Sequence, residues 1–264
     1  MYEVLESRCL FAGAIYVVFN NNEFSITGDK KTNRAEIGVG LDGWGEPYTN
    51  TRVQAIGTKL YVNGVLELNG ATSITRLGIV PTINMGSGDD FVEISGGYGF
   101  VDYPPPPMTI SMGEGDDHLS LDGGQCKSLS IDAGAGDDTV TLQGVVVNRG
   151  TSIFTGPGRD KINIENRIDT DENGNPLQFR NRFSKLQIVD HSGPLRLNMS
   201  QALVRKQAVF ATGNAIDRLR IDRCDFLQDV LISTRGGNDL IDLTDTRFRA
   251  GKDVDAGTGD NTVV

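Results

Sequence analysis

Short runs in which apolar and polar residues alternate recur along the chain: Val92/Ile94, Leu119/Leu121, Val140/Leu142, Ile162/Ile164 and Ile241/Leu243. A period of two places each pair on one face of a β-strand. Each run follows a glycine-rich turn. Four of these turns read Gly86-Ser87-Gly88-Asp89-Asp90, Gly113-Glu114-Gly115-Asp116-Asp117, Gly134-Ala135-Gly136-Asp137-Asp138 and Gly156-Pro157-Gly158-Arg159-Asp160. Weaker copies are TGNAIDRLRI ending at Ile221, RGGNDLIDL ending at Leu243 and AGTGDNTVV at 256–264. An early degenerate copy runs from Ile26 to Ile37.

Aligned on the turn, the first apolar positions are Val92, Leu119, Val140, Ile162, Leu219, Ile241 and Val263, spaced 27, 21, 22, 57, 22 and 22 residues apart. The long gap predicts one more unit, with PLRLNMS supplying Leu195 and Leu197. One unit alone cannot bury its apolar face, but stacked units can. The stretches before the turns (SLSID, SIFT, VLIST) are also strand-like, so a coil reads strand, turn, strand, loop. The expected fold is all-β: a right-handed parallel β-helix, or solenoid, with coils of about 21–27 residues over 85–264. An irregular N-terminal strand region, 15–84, starts the sheet or caps the first coil, behind a distinct segment, 1–14. Asn63-Gly64, flanked by alternating apolar residues, signals a hairpin. Two inserts, GGYGFVDYPPPPM and NRIDTDENGNPLQFRNRFSK, should form surface loops.

The 264 residues include 33 glycines and 7% aromatics, which suits many short strands and tight turns. The formal charge of −10 argues against nucleic acid as a partner. No apolar run approaches the roughly 20 residues of a membrane span. Cys9, Cys126 and Cys224 form no metal or disulfide pattern; the last two read as buried small residues.

Stacked turns place Asp90, Asp117, Asp138 and Asp160 in one column and Asp89, Asp116 and Asp137 in a second. Carboxylates about 5 Å apart repel by about 3 kcal/mol per neighbouring pair at an effective dielectric near 20. Backbone donors, protonation or an intervening cation must compensate. Arg159 ends the second column with the opposite charge. The turns resemble the nonapeptide of RTX (haemolysin-type) calcium-binding repeats, G-G-x-G-x-D-x-U-x. The first glycine is missing from all four, and the turns are not in tandem. The resemblance implies Ca²⁺ between stacked turns, held through Gly86, Gly88, Asp89, Asp90, Gly113, Gly115, Asp116, Asp117, Gly134, Gly136, Asp137, Asp138 and Asp160. A metal-free alternative has the aspartates only closing turns. Asp169-Thr170-Asp171-Glu172-Asn173-Gly174 matches the first half of an EF-hand loop, with Asp169, Asp171 and Asn173 as ligands. Arg180 stands where that loop needs its bidentate Glu, so the alternative is a polar loop tip.

VLESRCLFAGA, residues 4–14, resembles the LEPR-XLL signature of exported planctomycete-type bacterial proteins, with Leu5, Glu6, Arg8 and Leu10 matching. That resemblance implies an extracellular or cell-surface location. The expected function is an exported, calcium-stabilised structural or adhesive module, with the question of enzymatic activity left open. Its partner would be a surface polysaccharide or protein, or a second copy at an open solenoid end. The rival is a β-helix lyase or hydrolase acting on acidic polysaccharide. Residues 166–223 carry ten Lys/Arg against six Asp/Glu, and Arg180, Arg182 and Lys185 in the insert would bind such a substrate. Tyr98, Phe100 and Tyr103 suggest a sugar-stacking ledge or a packed loop, and His118 with Cys126 a weak nucleophile pair.

Overall fold

The alternating runs become strands, and every regular element among the described residues is a β-strand. The structure is a computed structural model that describes residues 13–19, 24–40, 50–67, 71–75, 82–96, 107–171, 173–190 and 192–264. The export-like segment up to residue 12, the aromatics Tyr98, Phe100 and Tyr103, and Glu172 lie outside the described residues.

The strands form two long sheets. In the smaller sheet, Arg34–Gly40, Phe91–Gly96, His118–Asp122, Thr139–Gln143, Asp160–Glu165, Leu195–Ser200, Arg218–Asp222, Leu240–Asp242 and Thr262–Val263 lie side by side in chain order, each parallel to the next. The larger sheet alternates with it. It runs Phe24–Thr27, Thr82–Asn84, Met108–Glu114, Leu129–Ala135, Val146–Phe154 and Arg182–Val189, again in parallel. Beyond these, each repeat contributes a split pair: Leu203–Val204 with Ala208–Ala211, Asp225–Phe226 with Val230–Ser233, and Arg247–Phe248 with Lys252–Asp255. The missing unit in the 57-residue gap is present, since Leu197 pairs with both Ile162 and Leu219. The stack also starts early, because the degenerate copy pairs Ile26 with Ile83 and Ile37 with Ile94.

Parallel register stacks like on like. One inward row of the larger sheet reads Ile26, Ile83, Ile110, Ile131, Ile153, Ile188, Phe210 and Ile232, all buried. The facing rows of the smaller sheet run from Ala35 and Ile37 to Leu219 and Ile221. A third buried row of the larger sheet reads Cys126, Val147, Phe183, Val204 and Phe226, and Phe248 stacks on Phe226 at 5.5 Å. Fully burying each large apolar side chain contributes about 2 kcal/mol, so the stack is held by long apolar columns.

Among the described residues, antiparallel pairing is confined to two places. At the N-terminal end, Ala14–Phe19 pairs with Phe24–Thr27, and Asn50–Ala55 lies between Arg34–Gly40 and Ala71–Thr75. Lys59–Val62 and Val65–Glu67 form the expected hairpin, with φ of 48° at Asn63 and 82° at Gly64. The second insert is a two-stranded hairpin, Arg167–Thr170 with Pro176–Phe179.

Candidate functional site

The glycine-acid turns stack on one edge. Gly134 sits at φ 103°, and a Cβ there would lie 1.7 Å from the Gly113 carbonyl oxygen. Gly136 repeats the constraint against the Gly115 carbonyl, at 2.1 Å. The glycines are therefore required by the approach of one turn to the next.

The aspartates following them form two hydrogen-bonded ladders. In the inner ladder, each backbone N–H donates to the carboxylate of the next repeat: Asn33 to Asp90 Oδ1 (2.6 Å), Asp90 to Asp117 (2.7 Å), Asp117 to Asp138 (2.9 Å) and Asp138 to Asp160 (3.0 Å). In the outer ladder the direction reverses. Asp116 N–H donates back to Asp89 (3.0 Å), Asp137 to Asp116 (2.8 Å) and Arg159 to Asp137 (2.9 Å). Arg159 Nε also reaches Asp137 Oδ2 at 3.2 Å and closes the outer row.

The inner ladder stops at Leu195, which pairs with Asp160; there the Asp160 N–H turns to the Pro194 carbonyl (3.1 Å). It then resumes: Leu195 donates to Asp217 (2.8 Å), Asp217 to Asp239 (2.8 Å) and Asp239 to Asn261 Oδ1 (2.9 Å). The Thr212 hydroxyl holds the second oxygen of Asp217.

The inner carboxyls are buried, and Oδ2 of Asp90, Asp117 and Asp138 has no hydrogen-bond partner. Desolvation pushes Asp90 and Asp138 up to about 8, against the lowering effect of the backbone donors. It pushes Asp117, Asp160 and Asp217 up to about 6. The turn carbonyls are also engaged: Gly86, Glu114, Ala135 and Pro157 accept backbone N–H groups from neighbouring turns. Among the described residues, no group of three or more His, Cys, Asp or Glu is arranged to hold a metal ion.

The EF-hand-like stretch forms the tip of the second-insert hairpin. Asp171 accepts the N–H groups of Asn173 (2.9 Å) and Asn175 (2.8 Å) and the Asn175 side-chain amide (2.9 Å), which hold its carboxyl below the usual range. Asp169 faces Arg167 at 3.3 Å. Arg167 reaches down to the Gly96 carbonyl (3.2 Å) and the Asp122 carboxylate (3.4 Å), fastening the hairpin to the stack.

Beside that hairpin lies a cleft of about 620 Å³ lined by Arg180, Arg223, Arg247, Asp225 and Asp245, with Gln201. Gln201, Arg223 and Asp245 all have left-handed backbone (φ 51–54°) at successive repeats. Of the three insert cations, only Arg180 lines it, bound to Asp225 (3.3 Å) and the Gln201 carbonyl (2.7 Å). Arg182 and Lys185 are exposed on the outer face of the larger sheet, so the trio does not converge. Cys126 is buried, its thiol pushed up to about 12 by burial, while His118 stacks on Phe91 at 4.8 Å; the two do not meet.

Sequence spacing does not reveal the donors of the ladders, which are main-chain amides. It also misses Asn181, fully buried, which joins three repeats through the Val145 N–H and the Leu142 and Glu165 carbonyls. No protein-family model, curated protein or solved structure matches the chain, so its role is argued from geometry.

Proposed function

We propose that the two sheets are walls of a right-handed parallel β-helix and that the chain is a structural or adhesive scaffold. The observation that carries this is the pair of aspartate–amide ladders, repeated turn after turn on one edge. Each ladder aspartate spends one oxygen on a neighbouring backbone N–H. The second oxygens of Asp90, Asp117 and Asp138 are buried without a partner, one per repeat. A calcium ion needs six to eight oxygen ligands. The carbonyls of Gly86, Glu114, Ala135 and Pro157 are already hydrogen-bonded and the stacked turns offer too few further ligands, so protons on Asp90 and Asp138, not Ca²⁺, relieve the repulsion along the inner column. Export to the cell surface fits such a scaffold and is supported by the N-terminal resemblance alone.

The test is a thermal melt in EDTA and across a Ca²⁺ titration, with Mg²⁺ as control. The expected result is the same Tm throughout. A Ca²⁺-specific rise at millimolar concentration, lost in Asp117→Ala and Asp138→Ala, would restore the calcium column. A second reading, a carbohydrate-active enzyme, is favoured by the convergence of arginines and carboxylates in the cleft. It predicts cleavage of polyuronate that disappears in Asp245→Asn.

A further inference from the structure

The outer face of the smaller sheet carries an unusual row. Strand register puts Lys161 beside Arg196 and Arg196 beside Arg218, on three consecutive repeats. All three are exposed. Cross-strand neighbours in a parallel sheet lie about 4.8 Å apart, and like charges directly opposite destabilise the pairing. In water the repulsion is about 1 kcal/mol per adjacent pair. The fold offers no relief, since none of the three side chains makes a hydrogen bond or ion pair among the described residues. Elsewhere arginines do find carboxylates: Arg159 with Asp137, Arg167 with Asp122, Arg180 with Asp225, Arg220 with Asp242 and Arg223 with Asp222. In a chain with 35 acidic residues, this row is left bare.

The row borders a depression of about 310 Å³ where the turn ladders are interrupted. Arg159, paired with Asp137, also lines it, Pro194 and the exposed Ile216 add apolar surface, and its one acid, Asp160, is buried. The next outward row along the same strands is polar: Asn163, Asn198 and Arg220, the last paired with Asp242 at 3.7 Å. Asn198 donates to Asn163 (3.1 Å), and Asn163 to the Thr141 hydroxyl (3.5 Å).

We propose that this face binds an acidic polysaccharide. Lys161, Arg196 and Arg218 would take its carboxylate or sulfate groups, one per repeat, and the Thr141/Asn163/Asn198 row its hydroxyls. Guanidinium forks match such oxyanions. Nucleic acid fits less well, because single strands need aromatic platforms for their bases, and the rings on this row, His118 and Phe91, begin two repeats from Lys161 and stack on each other. The inference uses only the register of the smaller sheet and stands apart from the scaffold reading.

The test is binding of the full chain to polygalacturonate and to dextran sulfate, with neutral dextran and a single-stranded oligonucleotide as controls, at low and high salt. The expected result is salt-sensitive binding to one or both acidic polymers and none to dextran. Lys161→Gln/Arg196→Gln/Arg218→Gln should weaken it at least tenfold, with Tm unchanged or raised by relief of the repulsion. Lys185→Gln/Arg205→Gln, on the larger sheet and on the loop between two of its strands, should leave it intact. No binding to either polymer at low salt would overturn the proposal. So would full affinity in the triple variant, or equal binding of the oligonucleotide through the same row.

Discussion

At the residue scale, the ladder aspartates act as acceptors of backbone N–H groups, and the chain contains its own control. Asn261 occupies the same column as the aspartates, and its Oδ1 accepts the Asp239 N–H. An amide keeps the accepting oxygen and carries no charge. Asp138→Asn should therefore fold and, at pH 8, melt above the parent. Asp138→Ala strands the Asp117 N–H inside the turn and should cost on the order of 1–3 kcal/mol. Urea unfolding of the two variants side by side measures both. If Asn proves as damaging as Ala, the carboxylate has a role beyond accepting one amide.

At the element scale, turn spacing decides what substitutions the stack accepts. Gly134→Ala must move a carbonyl that lies 1.7 Å from the added methyl, at a positive φ, and should cost about 3 kcal/mol or more. Gly150→Ala meets open space and should change stability by less than about 0.5 kcal/mol. Arg167 anchors the second-insert hairpin to strands of the smaller sheet. Arg167→Ala should release it, with faster proteolysis within 167–179 and little change in the global melt. Much of this element map is legible in the sequence. Period two marks the strands, and the 21- and 22-residue spacings give the register that stacks Leu119, Val140 and Ile162. The hidden repeat is recoverable only from Leu195 and Leu197, because Pro194 and Leu195 replace the acids of its turn. The partners of the carboxylates are not legible: main-chain donors leave no side-chain signature. Nor is the fate of Arg180, whose partner Asp225 lies 45 residues away.

At the scale of the whole molecule, the buried column links stability to pH. The folded-state values of Asp90, Asp117, Asp138 and Asp160 lie above the ordinary carboxyl value of 3.8. Their contribution is complete below that value and is lost as pH rises through about 6 to about 8. The protein should thus melt higher at pH 5 than at pH 8. The difference should shrink in Asp90→Asn/Asp138→Asn, as read by calorimetry across that range. The opposed directions of the two ladders have a further effect. A turn with paired aspartates gives one amide forward and one backward, and accepts one from each side. Its upper and lower surfaces are thus complementary, and any such turn can follow any other. Duplication of a single repeat in the gene would insert a unit already fitted to both neighbours, so an array of this kind can lengthen or shorten by whole repeats without redesigning its joints.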